Sequence, residues 1–461
     1  MAVKVGGLGR RVAYGALFVL VWPAVLVVLS ARVQVPVSAP HAPVAGAVLA
    51  AAGLALLVAG VWGIVARGHG LPMNAFPPRD LVTTGAFALV PHPIYVGFCL
   101  ACGGVALAMG SAGGLYVATP VAAVGCVALV LGHERRSLLA RFGRLPRPFL
   151  GGRLVRPVVR ALRLDRAWRA VLDATERLAN AWASVRLGRL RIMNHAVFSG
   201  LAGGVGAAIV VLAAGAAYTA WVAGLMVAGA VGAAAMGQLL VGSSGRLSRP
   251  FGYFGGLAAI GLLGGAAWAL RPELSVVLAA FCLAAPWTQA LGRLRCLVQG
   301  CCHGAPAPAA SGIVVTNEHS RACGMAGLCG RPLYPTQLYS IVGNLVLGPV
   351  LLAAWAAGVP QSLVVGGYLV GAGAVRFVEE AYRGEPLTRI VAGLRIYQWL
   401  AVAMYGAGVL VMGVPTAPTP PLAMDAAGAA AVLGAVFFVV CAAALSVDAP
   451  SSTARFSRLS G

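Results

Sequence analysis

The sequence predicts an all-α polytopic integral membrane protein, with two helical bundles joined by a basic amphipathic cytoplasmic segment. Composition is the first reason: 60% of the 461 residues are hydrophobic and 10% are charged, against roughly 25% charged in a soluble globular chain. The second is that continuous apolar runs recur along the whole length, about twelve of them on the scale of a roughly 30 Å hydrocarbon core. These runs are rich in Ala, Leu and Gly and do not alternate, which argues against a transmembrane barrel. The third is charge: 34 Lys and Arg stand against 12 Asp and Glu, a formal +22. In a membrane protein that surplus points to anionic lipid headgroups and positive-inside loops. No aromatic-and-basic interleaving supports a nucleic-acid partner.

Taken in order, Met1 to Arg11 is short and basic, and Val12 to Ser30 is the first span, read as a retained anchor because no small-residue cleavage pattern follows. Val44 to Val65 is the second. After a polar loop come Ile94 to Met109 and Leu115 to Leu131, joined by a tight MGSAGG turn. These make up a first membrane domain, 1–149. Residues 150–194 read as an interfacial linker. In it Arg153, Arg156, Arg160, Arg163, Arg166 and Arg169 interleave with Leu162, Trp168, Val171, Leu172, Leu178 and Trp182 at helical spacing, the pattern of a basic amphipathic helix at a membrane surface. A second membrane domain, 195–447, carries spans at Ala196 to Tyr218, Ala220 to Leu240, Gly255 to Leu270, Leu274 to Gln289, Ser340 to Ala356, Gln361 to Phe377, Tyr397 to Met412 and Ala427 to Leu445. Residues 448–461 read as a flexible tail. The 62 glycines suit close helix packing inside a bilayer.

The stretch Gly292 to Tyr339 is the candidate site. Arginine, glutamine, histidine and five thiols sit there between hydrophobic segments, and polar groups in that setting are costly to keep without a function. Arg293, Gln299, His303, Gln337 and Tyr339 all fall close to predicted membrane ends. The thiols Cys296, Cys301, Cys302, Cys323 and Cys329 leave three readings open. Disulfides or plain structural use come first, an activated nucleophile second, and a soft metal third. The CxxxxCC spacing matches no zinc ribbon, and no metal ligands are assigned.

The C-terminal half resembles the prolipoprotein diacylglyceryl transferase family, in a divergent, cysteine-containing branch. Gly292, Arg293 and Gly304 keep the frame of a GRxxN-type signature. An RFxxExxR pattern is present as Arg376, Phe377, Glu380 and Arg383, and PTQLY with Asn344 also matches. YFGG, from Tyr253 to Gly256, aligns with an HGG-type element, with Phe254 in the histidine's place. Cys296 and Gln299 stand where the family usually has asparagines, and Cys301 where it has glutamate. The likeness runs from roughly Ala196 to Gly413. It implies transfer of a diacylglyceryl group from an anionic phospholipid such as phosphatidylglycerol to a thiol, on a lipoprotein or another lipid or protein acceptor, in the bacterial cytoplasmic (inner) membrane. Such a reaction needs a cationic grip on phosphate, a task suited to arginine's bidentate fork, and a base for the thiol. Arg293, Arg376, Glu380 and His303 are the expected catalytic residues. Gln299, Gln337, Tyr339, Asn344, Arg383 and Tyr253 are the expected substrate-binding ones. Glu380, four residues beyond Arg376, shares its helix face, and the His303 imidazole suits proton transfer near neutrality.

The tract from Leu81 to Gly97, LVTTGAFALVPHPIYVG, resembles the isoprenylcysteine carboxyl methyltransferase and phospholipid methyltransferase group. Thr84, Gly85, His92, Pro93, Tyr95 and Gly97 match its TxGPYxxVRHPxYxG pattern. Glu134, Leu138, Phe142 and Gly143 match its later acidic element. This likeness implies S-adenosylmethionine as a cofactor held by His92, Tyr95, Gly97 and Glu134, whereas the C-terminal domain's likeness requires none. Pro91 stands where an arginine is usual, and Arg135 where a second glutamate is. The two function classes that emerge are a membrane transferase, with or without a methyl-transfer partner domain, and a non-catalytic lipid-binding or transport protein. The two halves do not look like copies of each other, which weighs against transport.

Overall fold

The computed structural model describes residues 12, 15–71, 77–145, 162–241, 251–384, 389–452 and 459. The basic N-terminal residues Met1 to Arg11, and Arg153, Arg156 and Arg160 of the linker, lie outside them. The described residues are predominantly helical. Nine of their helices are long and apolar enough to cross a membrane. Every run read as a span is helical, but Leu17–Arg32, Pro93–Ala108 and Ile396–Met412 are shorter apolar helices, so the expected dozen becomes nine of spanning length. The chain is a multi-pass helical membrane protein. It divides into two compact units, Met1–Trp168 with Met412–Val414, and Arg169–Val411 with Pro415–Gly461.

The first unit contains α1 (Leu17–Arg32), α2 (Pro43–Gly68), α3 (Pro93–Ala108) and α4 (Gly114–Phe142). Proline opens α2 and α3, where a helix has no use for the missing N–H. Gly46 and Gly53 of α2, seven residues apart, face Gly104 and Gly97 of α3, also seven apart. A Cβ on Gly53 would come within 2.6 Å of the Gly97 carbonyl oxygen, and one on Gly97 within 2.5 Å of that of Gly53. The α2–α3 crossing is therefore a small-residue seam. In α4 two π-helical stretches, Gly114–Ala118 and Val130–Glu134, interrupt the regular winding. Such π-turns are frequent at functional sites, and the second carries Glu134.

The second unit opens on α5 (Leu164–Ala179), which begins just before the unit boundary. The β1–β2 hairpin (Ser184–Leu187, Leu190–Met193) follows. Next come α6 (Ala196–Ala214), α7 (Thr219–Val241), α8 (Tyr253–Leu270) and α9 (Ser275–Gln299). After an irregular insert come α10 (Thr336–Ala356), α11 (Gln361–Ala381), α12 (Ile396–Met412) and α13 (Ala427–Ser446). In α9 and α11, 67% of the apolar window is buried, against 17% in α8 and α13. These two helices form the interior of the bundle, with Val277, Leu283, Val364 and Tyr368 in its core.

The amphipathic helix in the linker is present as α5, and protein covers part of its apolar side, while Leu164, Trp168 and Val171 stay exposed. Leu172 and Ala179 pack with Leu297, Ile313, Val315, Ala322, Leu333 and Leu338. Glu176 accepts the Val314 N–H (2.8 Å) and Asn180 accepts that of Thr316 (2.8 Å). The insert thus rests on α5. It contains a short ladder, β3 (Ile313–Val314) with β4 (Pro332–Leu333), and a disulfide between Cys323 and Cys329. The tail read as flexible starts on a fixed point. Asp448, in the short strand Val447–Asp448, accepts two hydrogen bonds from Arg191 at 2.9 and 2.7 Å and one from the Leu459 N–H at 3.1 Å. Leu459 is buried.

Candidate functional site

The interior helices α9 and α11 each end in charged side chains, and those ends meet. From α9, Arg293 reaches Glu379 of α11 at 2.8 Å and donates its Nε–H to Ser340 of α10 at 3.1 Å. Within α11, Arg376 grips Glu379 and Glu380, each at 2.8 Å, roughly five-sixths of a turn and one-and-a-ninth turns away. Arg383 adds contacts of 3.4 Å to Glu380 and 3.7 Å to Glu379, and Arg395, in the short strand Leu394–Arg395, lies 3.9 Å from Glu380. Arg376, Glu379, Glu380 and Arg383 are all buried. Among the described residues, four guanidiniums therefore gather around two carboxylates at the ends of apolar helices. Guanidinium forks held in place in this way suit the oxygens of an anion such as a phosphate.

Aromatic rings hold the central arginine. The Arg376 guanidinium lies 5.5 Å from the Phe254 ring centre and 5.3 Å from that of Tyr397, and the two rings stack at 5.0 Å. Phe254, where the resembled family has histidine, here offers Arg376 a cation–π contact beside that of Tyr397. Beside it the Tyr253 hydroxyl hydrogen-bonds Tyr368 at 2.9 Å, and Gln289 donates to Tyr368 at 2.6 Å.

The insert enters the site through the turn after α9. Gly300 takes φ +68° and Cys302 φ +60°, both left-handed. Gln337 donates to the Cys301 carbonyl (2.8 Å) and Thr336 to that of Cys302 (2.6 Å). Gly304 lies so close to Tyr334 that a Cβ would come within 2.1 Å of its carbonyl oxygen, which explains glycine there. Residues 303–305 bridge to 382–384: Gly384 donates to His303 at 3.0 Å and Ala305 to Tyr382 at 2.9 Å. This lays His303 alongside Arg383. His303 is buried, and its Nδ1–H donates to the Gly304 carbonyl at 3.1 Å, which leaves Nε2 with the lone pair. The Cys301 thiol, hydrogen-bonded first to Cys296 and then to Cys302 and buried as well, is held well above the usual thiol range.

The expected residues thus fall into three groups. Arg293, Arg376, Glu380 and Arg383 join one network, with His303 at its edge and Tyr253 on the neighbouring aromatic cluster. Gln337 secures a turn, Asn344 donates to the Ser340 carbonyl at 2.8 Å, and Tyr339 packs edge-on to Tyr382 at 5.6 Å. Gln299 is buried with its Oε1 unpartnered among the described residues. The third group lies in the other unit. There His92 Nδ1 is 3.3 Å from Glu134, Tyr95 donates to Glu134, and both line a pocket with Asp80 and Arg141. Gly97 instead sits in the α2–α3 seam. The residue missed in the sequence is Glu379, which joins α9 to α11. The RFxxExxR spacing singles out Glu380, and only the position of Arg293 in space reveals its neighbour.

Comparison with known proteins bears on the C-terminal segment. A model of the prolipoprotein diacylglyceryl transferase family matches residues 250–414, so α6 and α7 lie outside the matched part, which the sequence reading had extended back to Ala196. A phosphatidylglycerol–prolipoprotein diacylglyceryl transferase 2 of Clostridium perfringens is 28% identical over 126 residues, 27% of this chain and 46% of that protein. A phosphatidylglycerol–prolipoprotein diacylglyceryl transferase of Clostridium tetani is 29% identical over 119 residues, 26% of this chain and 44% of that protein. The chain thus spans less than half the length of these curated relatives, and its C-terminal segment matches the diacylglyceryl transferase family at low identity.

Proposed function

We propose that this protein is a phospholipid-dependent glyceryl-group transferase of the bacterial cytoplasmic membrane. The observation that carries the reading is the buried Arg293–Glu379–Arg376–Glu380–Arg383 network, three guanidiniums held by two carboxylates, inside the segment that matches the family. An anionic phospholipid such as phosphatidylglycerol sets its phosphate against these guanidiniums, whose forks suit phosphate oxygens. In the reaction an acceptor thiolate forms a bond to the glyceryl carbon that carries the phosphate ester. The carbon–oxygen bond breaks, and glycerol phosphate leaves with the electron pair. Arg293 and Arg376 stabilise the charge gathering on that phosphate. Glu379 and Glu380 keep the guanidiniums in place, and His303, through Nε2, takes the acceptor's proton. The acceptor is a lipoprotein thiol or another thiol-bearing molecule.

A second reading concerns the first unit. There His92, Tyr95 and Glu134 converge in a pocket, which supports S-adenosylmethionine-dependent methyl transfer to a lipid or lipidated substrate. The two readings separate in one experiment. Membranes carrying wild-type protein, or the Arg293→Ala, Arg376→Ala and His92→Ala variants, are given isotope-labelled phosphatidylglycerol or methyl-labelled S-adenosylmethionine, and their lipids and proteins are analysed by mass. A glyceryl-labelled product that disappears in both arginine variants is the expected result. A methylated product lost only in His92→Ala moves the chemistry to the first unit. Stoichiometric lipid binding with no product in either arm sinks both and leaves a lipid-binding or transport role.

A further inference from the structure

The transferase reading makes no use of three cysteines at the end of α9 that lie outside any disulfide. Cys296 lies on its last turn, and Cys301 and Cys302 follow the left-handed Gly300. The three Sγ atoms all lie within 4.8 Å of one another. Metal–sulfur bonds of about 2.3 Å in a tetrahedral arrangement put thiolate sulfurs about 3.8 Å apart, so the thiols need to close by no more than about 1 Å. Cys302 holds its thiol there from a left-handed backbone that a residue with a side chain seldom adopts. Bonds from Gln337 and Thr336 to the carbonyls of Cys301 and Cys302 fix the same turn, the kind of outer support that orients metal ligands.

The number of thiols matters. Cys323 and Cys329 in the same insert are oxidised to a disulfide, whereas the three clustered cysteines form no disulfide. Pairing any two of them strands the third, while one cation uses all three. Soft thiolate sets select zinc or copper(I) over hard cations. No fourth His, Cys, Asp or Glu among the described residues joins the group.

We propose that Cys296, Cys301 and Cys302 form a three-thiolate site for a soft, thiophilic cation of the zinc(II) or copper(I) class, which ties the end of α9 to the turn that follows it. The site does not depend on the transferase reading. Bound metal holds together the segment from Arg293 to His303, and so steadies two groups that the reaction would use.

The test is metal stoichiometry. Full-length protein in detergent is reduced anaerobically and equilibrated with zinc in one arm and copper(I) in the other. Elemental analysis follows after desalting, and cobalt replaces zinc as a spectroscopic probe. We expect one cation per chain, a thiolate-to-cobalt charge-transfer band, and an affinity at least about 100-fold lower in Cys296→Ser, Cys301→Ser and Cys302→Ser. Cys323→Ser/Cys329→Ser and Cys282→Ser proteins should keep the full complement. In case a serine variant fails to fold, the wild-type protein gives an independent readout, since bound metal should shield the three thiols from alkylation. Metal retained equally by the three single variants would overturn the site. So would no metal in either arm, unchanged alkylation in its presence, or a native disulfide that includes Cys301.

Discussion

Glu379 shows most directly how single residues hold the site. Its carboxylate accepts from Arg293 on α9 and Arg376 on α11, each at 2.8 Å, and it is buried. Removing one partner of a buried ion pair leaves the others uncompensated, at a cost of roughly 3–5 kcal/mol. Glu379→Gln is therefore expected to lower unfolding stability by about 3 kcal/mol or more, and to reduce transfer further than Glu380→Gln does, since Glu379 is the carboxylate that grips Arg293 of α9 at 2.8 Å. Thermal unfolding in detergent and the labelled-lipid assay check the two halves of that statement. A Glu379→Gln protein as stable and active as wild type would show the bridge to be incidental. At this scale the sequence was legible where a motif fixes spacing within one helix, as for Arg376, Glu380 and Arg383. Glu379 and Ser340 were not, because their roles come from Arg293, 86 and 47 residues away.

Helices obey a different constraint, the distance at which two backbones can pass. Gly46 and Gly53 on α2 and Gly97 and Gly104 on α3 let the two helices touch without intervening side chains. Gly53→Val places a branched side chain where a Cβ alone comes within 2.5 Å of the Ala101 nitrogen. The seam must open, and we expect loss of the folded first unit, read as rapid limited proteolysis of residues 15–145 while the second unit resists. An exposed counterpart, Gly224→Val, should change nothing, since no atom lies within 4 Å of its missing Cβ. The glycine count had foretold close packing but not which helices meet. Likewise the helical spacing of Leu172, Trp168 and Leu178 revealed an amphipathic α5. That the insert covers Leu172 and Ala179 was hidden, because a lipid surface and a protein surface impose the same pattern.

At the scale of the whole chain, stability depends on contacts between distant segments. His195, just before α6, is fully buried and hydrogen-bonds Ser446 at the end of α13 through Nδ1 at 2.7 Å. Burial, and then the nearby Arg295 and Arg321, pull its pKa down from the usual 6.5 to about 3. The folded protein therefore holds the ring neutral, while the unfolded chain takes up a proton below pH 6.5. This contribution is present in full above that pH and is lost as pH falls towards about 3. The difference corresponds to about 5 kcal/mol across the interval. His195→Asn, which does not titrate, should flatten the fall in melting temperature between pH 6.5 and about 3, and an unchanged slope would remove His195 from the account.

The sequence by itself determined that the chain lives in a membrane as helices, and where those helices run. It also placed the arginines and carboxylates of α9 and α11 close to helix ends. These properties follow from local composition, since apolar length and the need to satisfy every backbone group act along consecutive residues. Only the tertiary structure decided that Arg293 and Arg376 share Glu379, that the Phe254 and Tyr397 rings both lie against Arg376, and that three of five thiols gather while the other two pair. Those outcomes depend on which helix faces come together and at what depth, and such packing is set by contacts between segments tens to hundreds of residues apart.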